Sequence, residues 1–158
     1  MNKQELLDSL PQTGQVKWIG IRPGRDQALE AQSSVELSTE EGLAGDHYSG
    51  SSKKRQVTLI QAEHLEVVAQ FLKLAAIDPG LTRRNIVVAG INLLALKDRR
   101  CQIGDAELEI TGHCHPCSKM ERNLGPGGYN AMRGHGGITA RVLKEGTIGI
   151  GDEVRLIY

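Results

Sequence analysis

Short runs in which apolar and polar residues alternate, or in which β-branched residues cluster, dominate this chain and predict strands. Before residue 90 four such runs stand out, at residues 15–21, 34–37, 56–60 and 85–89. Turn-forming pairs such as Pro23-Gly24 separate them, and the 19 glycines fit many tight turns. The pattern therefore predicts a chain of short strands with frequent reversals.

Helical spacing of apolar residues is confined to a few places. It predicts short helices over residues 4–10, 62–69, 118–124 and 129–132. Ser118 and Glu121 have the spacing of a capping box, so the third helix is expected to begin at Ser118. Residues 42–52 are polar and rich in glycine, which predicts a long loop.

One internal similarity bears on the architecture. Residues 103–110 and 150–157 each place Gly-Asp before an alternating run, which is typical of a turn followed by a strand. We expect these two segments to be paired strands of one β-rich body. Strands outnumber helices and no regular β-α-β rhythm is present. We therefore predict a mainly β fold, a small β-barrel with a few peripheral helices.

Length and composition exclude several classes of protein. The 158 residues suit a single domain, in which we expect residues 1–14 to form an N-terminal extension and residues 15–157 the core. Basic and acidic residues number 19 each and only 3% of residues are aromatic, which argues against a nucleic-acid partner. Neither a signal peptide nor a long apolar span is visible, and three cysteines do not suggest a disulfide framework. We therefore expect a cytoplasmic protein with no membrane partner.

The segment 113–117, His-Cys-His-Pro-Cys, is the strongest candidate for chemistry. Cys117 is expected one residue outside the third predicted helix, where backbone N–H groups and the helix dipole favour a thiolate that attacks electrophiles or binds soft metals. Two alternatives are a Cys114–Cys117 dithiol and a zinc site assisted by Cys101 and His135. The interpretation that we prefer treats Cys114 as a buried apolar residue and Cys117 as the one active cysteine.

Two basic segments are candidates for binding a small anion. Arg83 and Arg84 stand between Thr82 and Asn85. Arginine forks match phosphate oxygens, while the hydroxyl and the amide add neutral donors. A solvated turn is the alternative. Residues 53–55, Lys-Lys-Arg, are either a solvated face or a further anion contact.

The glycine-rich segments carry weaker signals. Asp46 and His47 are either an acid/base or ligand-binding pair or simply part of a turn. Residues 125–128 and 134–137 are typical of turns or of a mobile lid, and close backbone approach to a ligand is the sharper alternative.

The order of these motifs resembles the MOSC domain, which is named for the C-terminal region of molybdenum-cofactor sulfurase. The resemblance covers roughly Val16 to Ile157. It rests on segments that follow one another in the family's order: residues 41–47, 55–60, 81–88, 103–105, 111–117 and 149–154. It implies a β-rich fold with a barrel-like core similar to the barrel domain of pyruvate kinase.

The resemblance also implies a cofactor and a reaction. MOSC domains bind molybdenum cofactor or carry its sulfur. In the reductase members a cysteine, matched here by Cys117, coordinates molybdenum, and N-hydroxylated compounds including hydroxylaminopurine bases are reduced. The segments that match the pterin-phosphate contacts and the cofactor cleft supply these cofactor-binding candidates: Thr82, Arg83, Arg84, Asn85, Gly45, Asp46 and His47. Arg55, from the basic segment 53–55, is a further candidate. Pyridoxal phosphate binding is a term of the family as a whole and is assigned to no residue.

Three functions follow from the residues and the resemblance. The first is a molybdenum-dependent reductase of N-hydroxylated small molecules. Since the chain shows no aminotransferase-like sulfurase domain, no separate N-terminal β-barrel and no ferredoxin-type cysteine set, such a reductase is expected to take electrons from another protein. The second is a sulfur-carrier or cofactor-binding module, with a persulfide on Cys117 and no turnover. The third is a thiol or zinc protein that uses Cys114 together with Cys117. Homo-oligomerisation is left open.

Overall fold

The structure is a computed structural model that describes residues 1–48 and 52–158. The α-helices in these ranges are α1 (Lys3–Asp8), α2 (Ala62–Leu72), α3 (Ser118–Leu124) and α4 (Gly128–Met132), with short 3₁₀ helices at Pro79–Thr82 and Leu93–Leu96. The strands are β1 (Gly14–Ile21), β2 (Glu30–Gln32), β3 (Ser34–Ser38), β4 (Gly42–Leu43), β5 (Val57–Gln61), β6 (Ile86–Ala89), β7 (Arg100–Ile103), β8 (Ala106–His113), β9 (Ile138–Lys144), β10 (Gly146–Gly149) and β11 (Glu153–Ile157).

Seven of these strands form a closed barrel. Their order is β1-β6-β5-β9-β8-β7-β11, and the pairing of Gly14 with Val154 joins β1 to β11 and closes the ring. Strand β2 extends the sheet beside β1, and β10, β3 and β4 form a separate small sheet. The predicted mainly β fold, a barrel with a few peripheral helices, is therefore confirmed.

One connection departs from the antiparallel pattern of the barrel. Strands β5 and β6 pair in parallel, with Leu59 opposite Ile86, and a parallel pair requires a crossover. Helix α2 provides that crossover, so the chain contains one β-α-β unit. The prediction that no regular β-α-β rhythm exists missed this unit, because a single crossover among hairpins leaves no repeating pattern. The two cysteines of the Cys-x-x-Cys segment lie outside it.

The barrel interior and the outer face of β5 and β6 hold separate apolar clusters. Val57 and Leu59 of β5 face the interior cluster, whereas Ile60 belongs to the cluster formed with helices α2, α3 and α4. On β6, Val87 likewise joins the outer cluster. Because successive side chains of a strand point to opposite faces, both strands must be apolar on both faces. The helices therefore cover this side of the barrel and frame its end.

Some predicted element boundaries need correction. Residues 42–52 are not a continuous loop, because Gly42–Leu43 form β4, in which Leu43 pairs with Leu37 of β3; residues 49–51 of that predicted loop lie outside the described part of the chain. The predicted N-terminal extension holds helix α1, and β1 already begins at Gly14. The two similar Gly-Asp segments contribute β8 and β11 to one sheet, but they are not paired directly, because β7 lies between them.

Strand register brings several strand ends together at one end of the barrel. Near the end of β1, Ile19 pairs with Ile86 at the start of β6, and β5 runs parallel to β6. At the start of β9, Ile138 pairs with both His113 at the end of β8 and Leu59 of β5. The segments that flank these ends therefore meet there: Arg22, Arg55, residues 82–85, residues 114–117 and residues 134–137.

Within the described residues, no helix is both long enough and apolar enough to cross a membrane.

Candidate functional site

A cavity of about 220 Å³ opens where these strand ends meet. The charged side chains among its described lining residues are five cations and one carboxylate: Arg22, Arg55, Arg83, Arg84, Lys119 and Asp46. Among the described residues, Lys119 alone of these cations has a carboxylate partner from outside the cavity, Asp26 at 3.7 Å. A concave surface with such an excess of positive charge attracts anions.

Two guanidinium groups at the cavity carry buried N–H groups that lack a partner among the described residues, at Arg22 Nε and Arg83 Nη2. Each is anchored elsewhere: Arg22 Nη2 donates to the His47 carbonyl oxygen at 2.9 Å, and Arg83 Nη1 to that of Gln27 at 3.4 Å. Burial, followed by the nearby charge of Arg22, lowers the pKa of Arg83. Because a buried donor without an acceptor is costly, the two groups mark a place suited to an anion.

Arg22 is the functional candidate that the sequence analysis missed. The only local signal was a basic residue placed directly after the first predicted strand and before the Pro23-Gly24 turn. Its backbone N–H donates to Asp46 Oδ1 at 2.7 Å, which ties the end of β1 to the loop after β4. The proximity of Arg22 to Arg83 arises from strand register, which no short motif reveals.

Arg84, predicted to contact phosphate, lines the cavity but directs its guanidinium to backbone carbonyls. Its Nε donates to Gly136 at 2.8 Å and Nη1 to Thr82 at 3.0 Å, while Nη2 donates to Cys114 at 3.2 Å and His115 at 3.3 Å. The side chain is buried, and that burial lowers the pKa of Arg84. The adjacent arginines Arg83 and Arg84 therefore differ in the partners available to them.

Asn85 is also engaged with the protein. Its Nδ2 donates to the Gly20 carbonyl at 3.1 Å and to Asp46 Oδ1 at 3.3 Å, and its Oδ1 accepts from the backbone and hydroxyl of Thr58 at 3.1 and 3.0 Å. All four hydrogen-bonding positions of the amide are thus used. Asn85 and Asp46 line the cavity and hold β1, β5 and β6 in register around it.

The two cysteines of the segment differ in exposure. Cys114 is buried, as the preferred interpretation of the sequence expects, and Cys117 is exposed. Both are free thiols that line the cavity. Cys117 is the N-cap residue of α3 and makes no side-chain capping bond. Cys114 Sγ lies 3.8 Å from Arg55 Nη2. The exposed thiol at the cavity is therefore that of Cys117.

The predicted capping box at Ser118 is wrong. Helix α3 does begin at Ser118, but Cys117 occupies the N-cap position. The carboxylate of Glu121 instead accepts from the backbone N–H groups of Gly127 and Tyr129, at 2.9 and 3.0 Å. These bonds lower the pKa of Glu121, and they fasten α4 to α3. The spacing alone could not show this, because the competing donors come from the next turn of the chain.

Of the remaining predicted cofactor residues, two line the cavity and two do not. Arg55 and His47 line the cavity and are exposed. Thr82 and Gly45 lie outside the described lining. The Thr82 hydroxyl donates to the Pro79 carbonyl at 2.7 Å, within its own 3₁₀ helix.

The histidines and glycines of the segment serve the neighbouring surface. His113 and His115 line a second cavity of about 270 Å³ with residues 134, 136 and 137. Among the described residues, no three His, Cys, Asp or Glu side chains converge on a point that could hold a metal ion. The zinc hypothesis therefore gains no support from the described part of the chain.

Comparisons with known proteins place this geometry in context. The protein resembles the crystal structure of the YuaD protein from Bacillus subtilis with a TM-score of 0.78 and 18% identity, over 92% of this chain and 96% of that chain. It resembles YiiM from Geobacillus stearothermophilus with a TM-score of 0.75 and 18% identity, over 92% of this chain and 75% of that chain. For YiiM from Escherichia coli the values are 0.68 and 16%, over 91% and 70%. Identities this low show a shared fold.

Sequence comparison identifies the family. A search of curated proteins found no match. The model of the MOSC domain matches residues 44–155, which is well over half of the chain. The matched region contains the 82–85 segment, Cys114 and Cys117, and the structural neighbours agree with it in fold. The chain belongs to the MOSC domain family.

Proposed function

We propose that this protein binds molybdenum cofactor at the strand-end cavity and reduces N-hydroxylated small molecules there, with Cys117 as the molybdenum ligand. The observation that carries the proposal is the pair of partnerless buried donors, Arg22 Nε and Arg83 Nη2, in a cavity with five cations and one carboxylate. Such donors suit a phosphate, which accepts from arginine forks. An exposed cysteine thiol lines the same cavity, and soft metals favour sulfur ligands.

The residues divide the work of binding. Arg22 and Arg83 would hold the phosphate, and Arg55 would add a third cation at the open side. Asp46 fixes the Arg22 backbone, while Asn85 fixes Asp46. The cavity of about 220 Å³ is smaller than the roughly 300–1,000 Å³ of typical ligand pockets, so it suits the anionic end of a cofactor better than a whole cofactor.

The reaction requires an electron source. Reduction of an N-hydroxyl group to an amine consumes two electrons and two protons and releases water. The cofactor, when bound, supplies the redox chemistry, and the protein positions it. The three cysteines of the chain are fewer than the four thiolates that commonly hold an iron–sulfur cluster. We therefore propose a separate electron-donor protein as partner.

The first test measures cofactor content. Protein from a host that makes molybdenum cofactor should contain molybdenum and pterin near one per chain, by elemental analysis and by fluorescence of the oxidised pterin. Arg22→Met and Arg83→Met should each lower pterin content, whereas Arg155→Met, on the exposed face of β11, is the matched control. Pterin content that is equal in all three variants would contradict the proposed binding site.

The second test separates the ligand from the phosphate site. Cys117→Ser should lose molybdenum and the reduction of an N-hydroxylated test compound by a chemical donor, whereas Cys114→Ser should retain both. Equal damage from the two substitutions would instead support a dithiol. Cofactor bound without reduction would favour the carrier function over the reductase.

A further inference from the structure

Three backbone segments meet around one buried side chain. The Arg84 guanidinium donates to the carbonyl oxygens of Gly136, Thr82, Cys114 and His115, at 2.8, 3.0, 3.2 and 3.3 Å. These carbonyls belong to the turn before β6, the segment after β8 and the segment before β9. One side chain thus links the segment that carries the cysteines to the two segments beside it.

The chemistry of this contact requires arginine. A guanidinium has five N–H donors in a fixed plane, and here four of these donors bond to four separate carbonyl oxygens. A lysine ammonium has three donors at one point and cannot reach all four oxygens. Because no carboxylate lies among the hydrogen-bond partners found for Arg84 in the described residues, the carbonyl dipoles stabilise its charge.

The glycines opposite Arg84 let the two segments touch. A Cβ atom on Gly136 would lie 2.1 Å from the Cys114 carbonyl oxygen and 3.4 Å from Arg84 Nη2. The Cys114 backbone N–H donates to the Gly137 carbonyl at 2.9 Å. Residues 136–137 are therefore packed against the cysteine segment, and the close backbone approach predicted for residues 134–137 is to the protein itself.

We propose that Arg84 is a positioning residue that fixes the Cys114–His115 backbone, and through it Cys117, at the mouth of the cavity. It holds the segment and leaves anion binding to its neighbours Arg22 and Arg83. The proposal deepens, and rests on, the proposed function of Cys117. The fixing of the segment itself can be measured without any cofactor.

The test compares the three cysteines as internal reporters in the cofactor-free protein. Folded protein is treated with iodoacetamide, and labelling of each cysteine is followed by mass spectrometry. Cys117 is exposed and should label quickly, while Cys114 and Cys101 are buried and should be protected. Labelling of Cys114 then reports local opening of the segment, whereas labelling of Cys101, inside the barrel, reports global unfolding.

Arg84→Met should raise the labelling rate of Cys114 by about 30-fold or more, which corresponds to about 2 kcal/mol, because several hydrogen bonds to a charged group are lost. Cys101 should stay protected. Arg83→Met is the matched control, since its guanidinium donates to Gln27 and to none of the four carbonyls, and it should leave Cys114 protected.

Gly136→Ala disturbs the contact between Gly136 and the Cys114 carbonyl without removing the Arg84 charge. It is the alternative variant for the test if Arg84→Met does not fold. It should also expose Cys114. Gly112→Ala should not, because among the described residues its Cβ would meet just Thr139 Oγ1, at 3.8 Å. Unchanged protection of Cys114 in Arg84→Met or in Gly136→Ala, or an equal rise for Cys101, would overturn the proposal. A failure of cofactor binding would leave this labelling pattern intact, so the two proposals fail separately.

Discussion

Arg83 should be a residue whose removal stabilises the cofactor-free protein and destroys its response to anions. Its Nη2 is buried without a partner among the described residues, and its backbone takes the left-handed conformation at φ +61°. Methionine keeps the unbranched apolar stem of the side chain and meets the same backbone cost, so Arg83→Met mainly removes the charged guanidinium. If Arg83 contacts phosphate, as the sequence predicts, Arg83→Met should raise the stability of the anion-free protein and lower its stabilisation by phosphate.

The magnitude follows from the cost of an unsatisfied buried donor, about 1–3 kcal/mol. Arg83 is only half-buried and donates one long bond to Gln27, so we expect the low end, about 1 kcal/mol, as a gain in stability. For a chain of this size that gain raises Tm by roughly 2–4 °C. The neighbouring charge of Arg22 adds to this gain in stability, because the two cations repel each other in the unmodified protein.

The assay is thermal unfolding in phosphate and in chloride at equal ionic strength. The unmodified protein should gain stability in phosphate, and Arg83→Met should show a higher Tm in chloride with no further gain in phosphate. Arg155→Met controls for the loss of one surface charge. A lower Tm in chloride together with an unchanged phosphate response would refute the reasoning, because Arg83 would then be a structural residue with no vacant donor.

Three further predictions concern the core and the titrating groups. Leu108→Ala, inside the barrel at 0% exposure, should lower the free energy of unfolding by about 2–5 kcal/mol in urea titrations, and a loss below about 1 kcal/mol would contradict the packing. Burial raises the pKa of Cys101 to about 12, so Cys101 should resist alkylation at pH 9 while Cys117 reacts; early labelling of Cys101 would show that the barrel opens. Burial and the charge of His135 lower the pKa of His64, so the unfolded chain binds the proton more readily and stability should fall as pH drops below about 6.5. His64→Gln should reduce that dependence in urea midpoints measured between about pH 7.5 and 5.5, and an unchanged slope would contradict it.

The sequence by itself determined most of the local elements and the family. Alternation along residues 15–21 and the β-branched residues along 56–60 predicted strands that the structure contains, because both signals depend on local preferences and not on the partner strand. The burial expected of Cys114 is found in the structure, whereas the activity of the exposed Cys117 stays a prediction. The order of motifs indicated the MOSC domain, and the family match confirms it.

The tertiary structure decided which of these residues meet and what they bond. The pairing of β1 with β6, which sets Ile19 opposite Ile86, brings Arg22 near Arg83, and no residue near Arg22 in the chain indicates that proximity. Adjacent arginines read alike in a sequence, yet Arg84 is directed to four carbonyls and Arg83 to the cavity. Local propensity depends on near neighbours, whereas the partner of a buried donor depends on segments that only the folded chain brings within hydrogen-bonding distance.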